Sequence, residues 1–252
     1  MILKRRITEA EVIAEFLKNE FYQKEYDRDR EEFESIVLDP DLADETQNAI
    51  RRALLYRRRG HMWRELPRDT QWHEVEINQD DLKRIRVFPR AHWRKISNGS
   101  FLLSEIVKRI REAAIGRSDP AFSKIQLLRY RLQRDSVNSA VLLIGVDEEQ
   151  PLTILEGNHR LAAAMLVSPQ LVHTGFRVLC GLSTHMYEAC WYDTNIPTLW
   201  KYIRNRLHNL VDKEADVQRA LAIGSEANPA VAFTTDTAFG AEIKAQKVKQ
   251  AS

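Results

Sequence analysis

Residues 152–166, L-T-I-L-E-G-N-H-R-L-A-A-A-M-L, decide the fold because an apolar strand passes directly into a helix there. The strand ends in an acid and a glycine, and the helix opens with Asn158, His159 and Arg160. Gly157 lets the backbone approach a ligand closely, and the first turn of a helix presents amides that have no intrahelical acceptor. Arg160 adds a planar cation that suits phosphate or carboxylate. The segment therefore predicts an anion pocket, with a phosphorylated ligand as the leading candidate.

Apolar runs on both sides of this segment predict the rest of a small sheet. Residues 140–146, A-V-L-L-I-G-V, predict a strand, and a polar turn separates it from its partner strand at 151–155. The run 176–182 predicts another strand, and the alternating W-H-E-V-E-I of 72–77 predicts the opening one. Helical spacing of apolar residues predicts the first helix of this unit at 103–114.

The pentapeptide E-G-N-H-R at 156–160, followed by Ala163 and Ala164, resembles the G-x-H-R-x-x-A signature of the ParB/sulfiredoxin superfamily. That superfamily includes ParB nucleotide-binding domains, sulfiredoxins and free-serine kinases. The resemblance covers residues 72–185 and implies an α+β fold, a ParB/sulfiredoxin-like small mixed sheet with helices. We expect helical additions before and after this core.

The residue types in the motif separate the branches of the superfamily. Sulfiredoxins carry a reacting cysteine where this chain has Asn158, and an amide cannot act as a thiolate nucleophile. Chromosome-partitioning ParB proteins usually have two basic residues in sequence and a helix-turn-helix domain, for which the residues after the core show no clear pattern. Free-serine kinases favour an acid-Gly-x-His-Arg form, which this chain resembles, with Glu156 where Asp is commoner.

Two motif residues have both a structural and a functional interpretation. Asn158 could be the N-cap of the helix, a role worth ~1 kcal/mol, or could contact the ligand. His159 could donate to a phosphate oxygen or act as an acid or base near neutral pH. His159 could equally be a packed or capping residue at the helix start.

The two charged residues of the motif also leave alternatives open. Arg160 could bind the anion or could form a solvated salt bridge of little energetic value. Glu156 could bind a metal or a ribose hydroxyl, could serve as the base for an attacking hydroxyl, or could pair with Arg160. We predict Gly157, Asn158, His159 and Arg160 as the binding residues and Glu156 and His159 as the catalytic ones, with the metal ligands unknown.

Composition excludes several protein classes. No apolar segment approaches the roughly 20 residues of a membrane span, and the start M-I-L-K-R-R lacks the apolar stretch of a secretory signal, so we expect a cytoplasmic protein. Cys180 and Cys190 are too few for a disulfide framework, and no Cys/His cluster has structural-zinc spacing. Cys180 lies in an apolar run, where we expect a buried and unreactive thiol.

Charge is nearly balanced along the whole chain, with 38 Lys and Arg against 36 Asp and Glu and a net charge of +2. One basic cluster stands out at Arg51, Arg52, Arg57, Arg58 and Arg59. Basic residues near a helix end usually form a solvated face, so nucleic-acid contact there is not favoured.

The chain divides into three expected parts. Residues 1–70 predict a helical extension, in which Thr8 and Glu11 form a capping box and a second amphipathic helix ends near Gly60. We expect these helices to dock on the core or on a partner subunit, as in a homodimer. Residues 71–190 form the core, and residues 191–252 contain a helix at 196–210 and a flexible tail from Gly224.

Two function classes follow from the residues and the resemblance. The first is a nucleotide-dependent phosphotransferase or nucleotide hydrolase, in which Glu156 or an acid of the opening strand, Glu74 or Glu76, prepares the nucleophile with Mg²⁺. The resemblance implies ATP or CTP as the nucleotide and a small hydroxyl-bearing acceptor. Arg117 and Arg129 could be further phosphate-binding cations or exposed helix residues. The second class is a binding module that senses a nucleotide or anchors DNA without chemistry.

Overall fold

A six-stranded mixed sheet organises the chain, of which a computed structural model describes residues 1–88, 93, 96, 98–112, 120–134, 139–211, 217, 220 and 221. The order of strands across the sheet is β1-β2-β6-β4-β5-β3. The β6/β4 and β5/β3 pairs are parallel, and the other neighbours are antiparallel. The strands are β1 (Ile2–Arg6), β2 (Gln71–Glu76), β3 (Ile85–Arg86), β4 (Ser139–Gly145), β5 (Leu152–Glu156) and β6 (Phe176–Leu182).

Helices cover both faces of this sheet. They are α1 (Glu9–Glu20), α2 (Arg30–Leu38), α3 (Glu45–Trp63), α4 (Gln79–Arg84), α5 (Leu103–Glu112), α6 (Pro120–Arg134), α7 (Asn158–Val167), α8 (Gln170–Thr174) and α9 (Ile196–His208). None of the helices within the described ranges has the length and apolar character needed to cross a membrane.

The central strand β4 is buried on both faces. Its residues alternate between two apolar clusters: Ala140, Leu142 and Ile144 belong to one, and Val141 and Leu143 belong to the other. A strand that is covered on both sides needs no polar positions, which explains its uninterrupted apolar sequence. The position of β4 therefore requires a helical layer on each side of the sheet.

Each layer comes from a different part of the chain. The helices α5 and α7 bury residues such as Ile106 and Leu161 against one face. The helices α1 and α3 bury Phe16, Leu17 and Leu54 against the other. The N-terminal helices therefore dock on the core of their own chain, and they share one apolar cluster with the sheet.

Several predicted elements are found at the predicted places. The mixed sheet is confirmed, and β4, β5 and β6 lie on the three apolar runs. Thr8 caps α1 by accepting a hydrogen bond from the Glu11 amide at 3.2 Å, which is one half of the predicted capping box, whereas the Glu11 carboxylate accepts from Arg5 and Arg177. The region expected to be wholly helical begins instead with β1, which pairs with β2. Its residues show no alternation of apolar and polar side chains, because β1 is an exposed edge strand.

The C-terminal helix α9 lies where it was predicted, but it packs through a different side. It begins with Pro197 in its first turn, as predicted, but Ile203 and Leu207 on its apolar side stay exposed, and α9 buries Thr198 and Asn205. Asn205 donates to the buried Glu65 at 2.5 Å. The homodimer stays a prediction, and the tail from Gly224 lies outside the described residues.

An ionic network ties α1 to the sheet. Arg177 of β6 donates to Glu11 and Glu15 of α1 and to Glu74 of β2, and Arg5 of β1 donates to Glu11 and Glu74. The hydrogen bond from Arg5 lowers the pKa of Glu11, and Arg177 adds to it. Burial alone would raise the pKa of Glu74, but the hydrogen bonds and charges of Arg177 and Arg5 together outweigh burial, and the pKa is lowered. Both carboxylates are therefore stabilised in their charged form by folding.

We predict that Arg177→Met lowers the free energy of unfolding by about 1–2 kcal/mol at pH 7, because the Arg177 side chain is only 26% exposed and its hydrogen bonds to carboxylates are lost. Urea denaturation measures this loss. Arg28→Met, at an exposed arginine outside the network, is the matched control and should change little.

The same pair of proteins tests the pH dependence. Glu11 and Glu74 have lowered pKa values in the folded state, so their stabilisation is complete above the unfolded glutamate pKa of about 4.3 and is lost as the pH falls through the folded values. The difference between wild type and Arg177→Met should shrink below that pH. A difference that stays constant down to acid pH would contradict the network.

Candidate functional site

The junction of β5 and α7 depends on Gly157. This residue is the N-cap of α7 and has a left-handed backbone with φ of 105°. A Cβ atom there would lie 3.1 Å from Cγ2 of Val141 on the neighbouring strand. Both the backbone conformation and the close strand therefore favour glycine.

Asn158 is the first helical residue, so of its two predicted alternatives the N-cap role is wrong. The left-handed turn at Gly157 starts the helix one residue earlier than an asparagine cap would. The Oδ1 atom of Asn158 is buried and accepts no hydrogen bond from the part of the chain that the structure describes. A buried amide oxygen without a donor is costly, and a ligand could supply that donor.

The start of α7 also presents backbone donors. The first hydrogen bond of the helix runs from the Leu161 amide to the Gly157 carbonyl at 2.9 Å. The amides of Asn158, His159 and Arg160 precede that bond and have no acceptor within the helix. Such amides, with the positive end of the helix dipole, favour a negatively charged group.

Arg160 forms the ion pair with Glu156 that was one of the predicted alternatives. Its guanidinium donates to Glu156 Oε1 at 2.9 Å and to the Oδ1 atom of Asn19, which lies on α1. Asn19 in turn donates to the Ala140 carbonyl of β4 at 3.1 Å. Burial lowers the pKa of Arg160, and its charged form depends on these partners. Arg160 therefore connects α1, β5 and α7.

A cavity of about 210 Å³ lies beside this junction. Three predicted site residues line it, namely Glu156, Asn158 and His159, whereas Gly157 and Arg160 are not among the described lining residues. The ring of His159 lies 5.1 Å from the ring of Trp93, centroid to centroid. The structure thus brings most of the motif to one cavity.

The other charged residues in the described lining come from distant segments. They are Glu20 at the end of α1, Arg59 on α3 and Lys124 on α6. Arg59 donates to Glu20 at 2.6 Å. No local pattern in the sequence pointed to Glu20 or Lys124, and Arg59 was noticed only as one member of a basic cluster.

The carboxyl of Glu156 is perturbed by burial and by neighbouring charges. Burial raises the pKa of its carboxyl, and the nearby charge of Glu20 raises it further. Arg160, Lys124 and Arg59 oppose the shift without cancelling it. A carboxyl with a raised pKa is a stronger base than a free glutamate, which suits a group that takes a proton from a substrate.

Several other candidates lie elsewhere. Glu74 belongs to the ionic network with Arg177, and Glu76 lies 3.4 Å from Lys4, so the predicted role of an opening-strand acid at this cavity is not supported. Arg129 is not among the described lining residues, and Arg117 lies outside the described part of the chain.

The basic cluster on α3 is largely paired. Arg51 is buried and donates to the carbonyls of Ile36 and Asp41. The acidic partners of the others are Glu9 for Arg52, Asp29 for Arg57 and Arg58, and Glu20 for Arg59. This pairing leaves less positive charge for nucleic acid than the sequence indicated.

Cys180 of β6 is a buried free thiol. Burial raises the pKa of Cys180 to about 12, which fits the expected unreactive thiol. Within the ranges that the structure describes, no group of three or more His, Cys, Asp or Glu side chains could hold a metal ion.

Comparison of the chain with protein-family models, with curated proteins and with solved structures gives no match. The interpretation of the cavity therefore depends on its own geometry and charges.

We predict that Gly157→Ala destabilises the protein by on the order of 2–3 kcal/mol, because alanine meets both an unfavourable φ and the Val141 side chain. Gly99→Ala is the matched control: Gly99 has φ of 97°, but an added Cβ atom would have no neighbour within 4 Å. Thermal or urea unfolding should show the smaller loss for Gly99→Ala. Equal losses would mean that contact with β4 does not constrain the junction.

Proposed function

We propose that the cavity at the start of α7 binds the phosphate groups of a nucleotide and that the protein transfers a phosphoryl group to a small hydroxyl-bearing acceptor. The observation that carries this proposal is the meeting of three features in one cavity: helix-start residues Asn158 and His159, the cations Arg59 and Lys124, and the perturbed acid Glu156. Each feature alone is common, but together they supply groups for binding and for proton transfer.

The phosphate chain has donors on two sides. The first-turn amides of α7 and the side chain of His159 lie at one wall, and Lys124 and Arg59 approach from other helices. A volume of about 210 Å³ is below the roughly 300 Å³ at which pockets for drug-sized ligands begin. The cavity therefore suits the phosphates and part of the sugar, with the base of the nucleotide lying outside.

Glu156 fits the role of general base. It would take the proton of the acceptor hydroxyl as that oxygen bonds to the terminal phosphorus and the bond to the leaving phosphate breaks. His159 would donate to the phosphate oxygens. Mg²⁺ is usually held by one or two carboxylates together with substrate phosphates, and Glu156 and Glu20 both line the cavity. Bound Mg²⁺ would neutralise the phosphate charge.

A binding module without chemistry is the second candidate. The observation that favours it is the pairing of both cavity acids, Glu156 with Arg160 and Glu20 with Arg59. A carboxylate oxygen that accepts a hydrogen bond from an arginine is less available to contact a substrate or a metal ion. The same cavity could then sense a nucleotide and change how α1 packs on α7.

Isothermal titration with ATP, CTP and ADP in the presence of Mg²⁺, followed by a product assay, tests the proposal. Lys124→Ala should weaken binding by about tenfold, the equivalent of ~1.4 kcal/mol for one lost charged contact. Lys108→Ala, at another exposed lysine, is the matched control and should leave the affinity unchanged.

Glu156→Gln separates the two candidates. Normal nucleotide affinity with lost turnover would support the phosphotransferase, whereas binding without turnover in the wild-type protein would support the module. If none of the three nucleotides binds to the wild-type protein, the proposal is refuted.

A further inference from the structure

The C-terminal helix α9 exposes a stripe of large apolar side chains. They recur at alternating intervals of four and three residues, which places them on one side of the helix. Ile196 is 86% exposed and Trp200 is 69% exposed. An exposed apolar patch of this kind usually marks a surface that meets a partner. We call it the α9 stripe, and its members are Ile196, Trp200, Ile203 and Leu207 of the helix and Leu210 of the turn that follows.

The opposite side of α9 is attached to the body of the protein. Thr198 and Asn205, which are seven residues apart, are buried there. Asn205 donates to the buried Glu65 carboxylate at 2.5 Å, and Lys201 donates to the Glu188 carbonyl at 3.2 Å. These contacts fix the rotation of the helix about its axis. The α9 stripe therefore points away from the protein, where a flat partner can meet it along the length of the helix.

Positive charge lies on both sides of the α9 stripe. Arg204 and Arg206 are three or four residues from its members and are therefore their neighbours on the helix surface. Both arginines are exposed, and neither forms a salt bridge with a carboxylate in the described part of the chain. Arg206 donates to the Tyr202 hydroxyl at 3.2 Å, which does not neutralise its charge. Residues 194–211 contain no Asp or Glu.

These charges decide which partner suits the α9 stripe. Two copies of α9 that paired through their stripes would bring Arg204 and Arg206 of each chain together, without an acid in either helix to neutralise them. Like charges that face each other across an interface oppose association. An anionic surface, by contrast, is attracted by the same arginines. The occupant that fits must therefore combine an apolar interior with negative charge beside it.

We propose that α9 binds the surface of a membrane that contains anionic lipids, with the helix lying parallel to that surface. A helix with an apolar side that includes tryptophan and a polar side with cations is typical of such binding. The α9 stripe would enter the boundary between headgroups and acyl chains. Trp200 suits that boundary because its ring is apolar and its N–H group reaches polar partners. Arg204 and Arg206 would extend toward the lipid phosphates.

Co-sedimentation of the full-length protein with lipid vesicles tests the proposal. Vesicles of equimolar phosphatidylcholine and phosphatidylserine should bind the protein at least tenfold more tightly than vesicles of phosphatidylcholine alone. Trp200→Ser/Leu207→Ser should weaken binding to the mixed vesicles at least tenfold, because it removes apolar area from the α9 stripe. The matched control is Leu127→Ser/Tyr130→Ser, which removes exposed apolar side chains from α6 and should leave binding unchanged.

Two further measurements separate the apolar contribution from the charged one. The other four tryptophans are buried, so a blue shift of the fluorescence on binding reports Trp200, and Trp200→Phe should abolish it. Arg204→Gln/Arg206→Gln should weaken binding to the mixed vesicles and leave binding to phosphatidylcholine unchanged, because only the anionic headgroups attract these side chains.

Three results would overturn the proposal: no binding of the wild-type protein to the mixed vesicles, equal binding to both kinds of vesicle, or equal weakening by the control variant. Sedimentation without lipid tests the competing occupant. Self-association that Trp200→Ser/Leu207→Ser abolishes, in a protein that binds no vesicles, would assign the α9 stripe to a second copy of the chain. None of these results depends on nucleotide binding at the start of α7.

Discussion

Burial of β4 on both faces is the constraint on which the rest of the structure depends. Its alternate residues belong to two separate apolar clusters, and each cluster is completed by helices from a different part of the chain. The helix α7 lies close to β4 in the sequence, whereas α1 and α3 of the other layer come from the N-terminal region. Without that layer Leu142 and Ile144 would be exposed to water, which would cost about 25 cal/mol of folding free energy for each Å² of apolar area.

The same layering creates the candidate site. The helices α1 and α3 bring Glu20 and Arg59 to the start of α7, where they meet Glu156 and His159. Asn19 connects the layers directly, because it contacts both β4 and Arg160. The arginine of the motif thus supports the cavity wall, and the cations that line the cavity come from segments outside the motif.

Local patterns in the sequence were sufficient to predict the central strands of the fold. The apolar runs predicted β4, β5 and β6, and the glycine at 157 correctly marked the turn into α7. Local pattern failed for β1, because an exposed edge strand has no buried face to impose alternation.

The site could be predicted only in part, for a related reason. Its motif residues are neighbours in the chain, but Glu20, Arg59 and Lys124 reach the cavity through tertiary packing. The pairing of Arg160 with Asn19 joins residues that are 141 positions apart, and no short pattern encodes such a contact.

A double-mutant cycle on Asn19 and Arg160 tests most directly whether the N-terminal layer supports the site. Free energies of unfolding would be measured for wild type, Asn19→Ala, Arg160→Met and the double variant. A hydrogen bond to a charged group predicts a coupling of about 1 kcal/mol or more between the two positions. Losses that add to within a few tenths of a kcal/mol would contradict the contact and the role of the N-terminal helices in building the cavity.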